Sequence, residues 1–208
     1  MKAHTRETQA TMTPEKALQF LKEGNERFQN NLKANRNLLE QVNDTSEGQF
    51  PFATILSCID SRVSAELVFD QGLGDVFSIR IAGNFINEDI LGSMEFASKL
   101  AGTKLIIVLG HTSCGAIKGA CDHARMGNLT ALINKIEPAV AAVKEPTDES
   151  LRNSKNLDFV DSVSAKNVLL SIENIRERSR ILADMEKDQE IMILGAMYDI
   201  STGKVDFY

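Results

Sequence analysis

Two short stretches concentrate reactive side chains. Cys58-Ile59-Asp60-Ser61-Arg62 follows an apolar run at 52–56, and Gly110-His111-Thr112-Ser113-Cys114-Gly115 follows another at 105–109. A core strand ordinarily ends in Gly, Asn or Pro; these end in two thiols, an imidazole, a carboxylate and a guanidinium. Two thiolates and one imidazole make a zinc set. Three protein ligands leave the fourth tetrahedral position to water, the arrangement of catalytic zinc, whereas a structural site closes that position with a fourth Cys or His. The other candidates, Cys121, His4 and His123, lie away from strand ends. The pattern therefore favours an open site with Cys58, His111 and Cys114 as ligands.

Charge assigns the remaining groups. Two thiolates cancel the charge of Zn²⁺, so water on such a centre is less acidic than the value of about 7 reached on three imidazoles. Asp60, two residues past one thiolate, is placed to accept a hydrogen bond from the nucleophile and so orient it. Arg62, two residues further, is placed to hold Asp60 ionised through a charge-assisted fork.

Such groups need rigid supports, and the hydrophobic pattern supplies them. Strands are expected at 52–57, 76–80, 104–109 and 190–196, with a short last one at 203–207. Between them, helices are expected at 65–70, 88–101, from 115, at 131–143 and at 159–182. Thr13-Pro14 starts an earlier helix, with Thr13 as N-cap and Leu18, Leu21, Phe28 and Leu32 on one face. Residues 33–51 are polar and read as a loop, and Gly83-Asn84 as a turn of unusual backbone. The expected fold is α/β: a mainly parallel four-stranded sheet with an antiparallel edge strand and helices on both faces. An extended helical arm precedes it, to pack on its own domain or on a partner subunit. In such a sheet, functional groups gather at the carboxyl ends of the strands.

With 208 residues, the chain accommodates one domain, an arm and loop over 1–50 and a core over 51–208. A net charge of −6 argues against nucleic acid and anionic membrane as partners. No apolar stretch approaches the ~20 residues of a membrane span. Three cysteines without a CxxC give neither a disulfide framework nor a thioredoxin-type pair. The first residues lack the apolar segment of a secretory signal, so the expected compartment is the cytoplasm unless a leader has been removed.

The order CxDSR, then RxAGN (Arg80 to Asn84), then GHxxCG resembles the β-class carbonic anhydrases, from about Gln49 to Lys118. Gly195 to Ile200, followed by Thr202-Gly203, is similar to that family's terminal strand and turn. The resemblance implies one Zn²⁺ per chain on Cys58, His111 and Cys114, with Asp60 and Arg62 as the catalytic dyad. It implies reversible hydration of carbon dioxide to bicarbonate and a proton by a zinc-bound hydroxide. Gln49 falls where plant-like members place a glutamine that hydrogen-bonds substrate, and the backbone N–H of Gly115 where they offer a second donor. Phe77, Ala82 and Phe96 match apolar positions lining the substrate pocket. That pocket lies at a dimer interface in the family, so a homodimer or dimer of dimers is expected. Ile81 and Phe96 depart from the family's common Asn and Tyr. Members gated by bicarbonate tend to carry a Trp in the effector pocket; this chain has no Trp, which points to the ungated subtype. The rivals are a carbon disulfide hydrolase on the same scaffold, a non-catalytic zinc module and a cysteine-nucleophile enzyme.

Overall fold

The computed structural model describes residues 2–208. Helix α1 (Arg6–Ala10) leads into α2 (Pro14–Gln29), where the Thr13 hydroxyl accepts the Lys16 N–H at 3.2 Å and Pro14 sits at the first turn. A short α3 (Leu38–Asp44) follows, then β1 (Ala53–Ser57), α4 (Ala65–Val68), β2 (Val76–Arg80) and α5 (Glu88–Glu95), which widens into a π turn at Phe96–Leu100. Strand β3 (Leu105–His111) precedes α6 (Gly115–Cys121), α7 (Gly127–Ala142), α8 (Leu157–Arg178) and α9 (Arg180–Lys187). Strands β4 (Met192–Tyr198) and β5 (Val205–Phe207) complete the fold.

The sheet order is β2-β1-β3-β4-β5, with the first four strands parallel and β5 antiparallel to β4. Every residue of the central strands β1 and β3 is buried, as expected where both sheet faces are covered. Their side chains alternate between two cores. Ile55, Ile107 and Leu109 join Leu21, Phe52 and Phe69 on one face; Leu56, Ile106 and Val108 join Met94, Val168, Ile172 and Ile175 on the other. Each such buried Leu or Ile contributes about 1.5–3 kcal/mol.

Register decides where the chemistry sits. Ser57 of β1 pairs with Leu109 of β3 on one side and Arg80 of β2 on the other. The stretches carrying Cys58 and His111 therefore leave the sheet side by side at one edge.

The helical arm packs on its own domain. Ala17 and Leu21 enter the core, and the buried Asn25 donates to the carbonyls of Val68 (3.1 Å) and Gly203 (2.8 Å). Three local expectations differ. The stretch read as a loop contains α3, capped by Asn37; it is only seven residues long, its Leu38, Leu39 and Val42 are exposed, and its one buried residue, Gln41, is polar. The single helix expected at 159–182 is two, because Ser179 adopts extended backbone and caps α9 with its hydroxyl. A capping box at Thr5 makes α1, too short to carry a periodic pattern.

Candidate metal centre and active site

Cys58 is the first residue beyond β1, His111 the last of β3, and Cys114 the N-cap of α6. All three are buried, and their ligand atoms lie within 4.8 Å of one another. The sulfurs of Cys58 and Cys114 are 3.9 Å apart. Two Zn–S bonds of about 2.3 Å at the tetrahedral angle would separate sulfurs by about 3.8 Å, so the pair fits that cation.

The imidazole tests the fit independently. His111 Nδ1 lies 2.9 Å from the carbonyl of Thr112. A carbonyl only accepts, so the ring proton sits on Nδ1 and Nε2 carries the lone pair. That Nε2 is fully buried and has no hydrogen-bond partner among the described residues. An unsatisfied buried acceptor costs about 1–3 kcal/mol, which a coordinated cation removes. This set suits Zn²⁺.

The thiols behave as a coupled pair. The hydrogen bond from Cys114 holds the Cys58 thiol down to about 4 against the effect of burial, helped by the Gly83 N–H. The same bond, burial and the negative charge of Cys58 push Cys114 up. Gly83 N–H reaches the Cys58 sulfur at 3.4 Å from a left-handed backbone, φ 77°. A Cβ at this position would stand 2.4 Å from Ile136 Cδ1, so the turn requires glycine.

Asp60 and Arg62 form a two-armed bond. Arg62 Nε donates to Oδ1 at 2.9 Å, Nη2 donates to Oδ2 at 2.7 Å, and the Arg62 backbone N–H adds a third contact to Oδ1 at 3.0 Å. The Arg62 side chain holds the Asp60 carboxyl well below the usual carboxylate range. Asp60 Oδ2 lies 4.0 Å from His111 Nε2, beside the three ligands but outside their cluster.

The other sequence-expected residues are distributed differently. Gly115 opens α6 directly after Cys114 and is exposed. Ala82 is half-buried just before the Gly83 turn. The rings of Phe77 and Phe96 meet at 6.3 Å on the wall of an open cleft of about 650 Å³, with Ile79, Asp89 and Ala97. Gln49 is exposed and lines another depression with Val42, Thr45 and Leu73; none of the metal-site residues lines it. Within one chain, then, the ligands and the dyad converge while Gln49 and the Phe77–Phe96 cleft stand apart. Cys121 ends α6 inside the core and His123 pairs with Glu137 on the surface, so neither joins the cluster.

One functional residue escaped the sequence reading. Arg80, at the end of β2, donates from Nε to the Cys58 carbonyl (3.0 Å) and from Nη2 to the Asp60 carbonyl (2.8 Å), tying down both ends of the ligand turn. Its place in the RxAGN segment, one strand from CxDSR, was the available signal.

Comparison with known proteins agrees with this geometry. A family model described as carbonic anhydrase matches residues 53–205. Carbonic anhydrase 2 of Mycobacterium tuberculosis is 33% identical over 92% of this chain and 91% of its own length. The solved β-carbonic anhydrase CcaA superposes with a TM-score of 0.72 at 28% identity, covering 92% of this chain and 94% of that one. One of two tetrameric β-carbonic anhydrases from Sordaria macrospora shares the fold at a TM-score of 0.68, with 20% identity over 79% of this chain and 84% of its own. With its thiol–imidazole–thiol cluster at the edge of a parallel sheet, the chain belongs to the β-class carbonic anhydrases.

Proposed function

We propose that Cys58, His111 and Cys114 hold the single Zn²⁺ of this enzyme, and that the enzyme is of the plant-like, ungated subtype. Its reaction is the reversible hydration of CO₂ to bicarbonate and a proton. The chemistry Zn²⁺ supplies when bound is Lewis acidity, which lowers the pKa of water at the centre and generates the nucleophile. The protein does the rest. The Asp60 carboxylate accepts a hydrogen bond from the nucleophile and turns its reactive lone pair toward the carbon of CO₂. Arg62 keeps that carboxylate charged, so that it accepts rather than donates. Behind the ligands, buried Phe85, Ile117 and Ile136 pack against Cys58 and Cys114 and give the centre an apolar surround suited to an uncharged substrate. The product is an anion, and the positive charge of Arg62, which is half-exposed, lies on the solvent side of the dyad.

The observation that carries the ungated reading is the fork itself. Both oxygens of Asp60 are engaged by Arg62. Moving the carboxylate onto the fourth ligand position would break two charge-assisted bonds. Zinc stoichiometry and stopped-flow CO₂ hydration on one sample test the assignment: one zinc per chain with rapid hydration is expected. Metal without hydration, or faster consumption of carbon disulfide than of CO₂ in parallel assays, would overturn it.

The working unit is a dimer or dimer of dimers in this reading. The separation of Gln49 and the open Phe77–Phe96 cleft from the ligands within one chain supports it, since a second copy can bring these residues to the site. Cys121, the one cysteine outside the ligand set, is an unpaired buried thiol and supports a reducing compartment, the cytoplasm.

A further inference from the structure

Helix α8 lies against the sheet with apolar residues such as Val163, Val168 and Ile172 buried, and among them runs a polar stripe: Asp161, Ser164, Asn167 and Ser171. At 3.6 residues per turn, these positions fall within about 120° of the helix circumference. Ser164, Asn167 and Ser171 are all but inaccessible, and buried polar groups need partners. Each of the four reaches a backbone group of a loop at the metal centre.

Two bonds hold the link between ligands. Asp161 Oδ1 accepts the Ser113 N–H at 2.7 Å, and Ser164 Oγ donates to the His111 carbonyl at 3.0 Å. Ser113 itself is left-handed, φ 54°, a conformation disfavoured for any residue with a Cβ. The other two hold the second turn. Asn167 Nδ2 donates to the Gly83 carbonyl at 2.8 Å, and Ser171 Oγ donates to the Asn84 carbonyl at 3.3 Å. This is the turn, left-handed at both residues, whose Gly83 N–H meets the Cys58 sulfur. Close approach makes the stripe possible: a Cβ on Gly110 of β3 would stand 2.6 Å from Val168 Cγ2.

We propose that the polar stripe of α8 is a positioning element of the metal centre, fixing the two turns that aim His111, Cys114 and the Gly83 N–H at the cation, with Asn167 acting through Gly83 on the sulfur of Cys58. The proposal rests on Cys58, His111 and Cys114 being the zinc ligands. Groups behind a ligand set its direction and its donor strength, and an N–H···S bond draws charge from the thiolate. Without Asn167, the Gly83–Asn84 turn loses the bond that fixes its peptide plane, and the sulfur loses a steady donor.

The test uses the full chain loaded with zinc and, separately, with cobalt. It measures zinc transfer to a chelator in native buffer, the sulfur-to-cobalt charge-transfer band, and the urea midpoint. Asn167→Ala and Asp161→Ala are expected to weaken zinc retention by about 10- to 100-fold and to alter the cobalt band. Asp161→Asn, which keeps the accepting oxygen, is expected to restore parent behaviour. Asn174→Ala is the control: among the described residues its side chain bonds the Leu170 carbonyl within α8, at 2.8 Å, and no group of the metal centre, so its loss should leave retention and spectrum unchanged. Parent-like retention and spectra in both alanine variants would overturn the proposal, as would an equal effect of Asn174→Ala. If Asn167→Ala does not fold, the Asp161 pair decides alone. A parent protein lacking the sulfur-to-cobalt band would instead refute the ligand assignment, a result distinct from failure of the stripe.

Discussion

His111 Nε2 stands 4.0 Å from Asp60 Oδ2, too far for a hydrogen bond. The imidazole's free lone pair and the carboxylate thus face one small space from two sides. Asp60→Asn keeps the volume and discards the charge. It should retain one zinc per chain and lose turnover by about 10²-fold or more, the scale of a misoriented nucleophile. Because Arg62 holds Asp60 well below the usual carboxylate range, no inflection in the parent's pH–rate profile above about pH 4 should belong to it. Paired metal analysis and CO₂ hydration decide the matter, and parent-like turnover in the variant would remove Asp60 from the mechanism.

The coupled thiols make a prediction about protons. Cys58 is held down to about 4 and Cys114 pushed up, so across the neutral range Cys58 is a thiolate and Cys114 keeps its proton. Zinc needs both as thiolates, so uptake expels about one proton from the pair and apparent affinity rises about tenfold per pH unit. Titration calorimetry at about pH 7, where water on a dithiolate centre keeps its proton, counts it in buffers of different ionisation enthalpy. Release of two protons there would mean that Cys58 begins as a thiol. Cys58→Ser and Cys114→Ser each remove a charged ligand and should abolish stoichiometric zinc.

The parts of this molecule legible in its sequence are those in which pattern and chemistry coincide. The apolar runs of β1 and β3 end directly in Cys58 and His111, so both strands and the ligands they carry can be read together. What escaped depends on backbone. Arg80 could be marked only by its place in the RxAGN segment, since its partners are carbonyls and what it holds has no signature of its own. Asp161, Ser164 and Asn167 look like the wet side of a helix and lie on its inner side, because the groups they satisfy belong to turns far away in the chain. Gln49 matched by spacing alone, and no single chain brings it to the ligands.

The Phe77–Phe96 cleft predicts an assembly. Phe96 is 53% exposed and Leu100, one turn on, 76%. Covering such side chains contributes about 1.5–3 kcal/mol each, so a partner subunit on this wall has a clear driving force. Phe96→Glu should shift sedimentation toward smaller species and lower CO₂ turnover in parallel, while zinc stoichiometry stays at the parent level. An unchanged assembly would place the interface elsewhere.

Far from the metal, Asp70 is a test of acid stability. Its carboxylate, 7% exposed, accepts from Arg27 Nε and Arg36 Nη1 at 2.6 Å each and from the Ala34 N–H at 3.0 Å, fastening the segment after α2 to the end of α4. Burial alone would raise its pKa, but the bonds from Arg27, Ala34 and Arg36 outweigh burial and lower it. A depressed carboxylate contributes stability that is complete above its unfolded value, about 3.9, and is lost as pH falls through the lower folded value. Asp70→Asn leaves two guanidiniums facing a neutral amide and should cost about 3 kcal/mol at pH 7. Since the parent sheds the same stabilisation in acid, the gap between their urea midpoints should narrow below about pH 4. A gap of constant size from pH 7 downward would show that packing around Asp70, rather than its charge, fastens the segment.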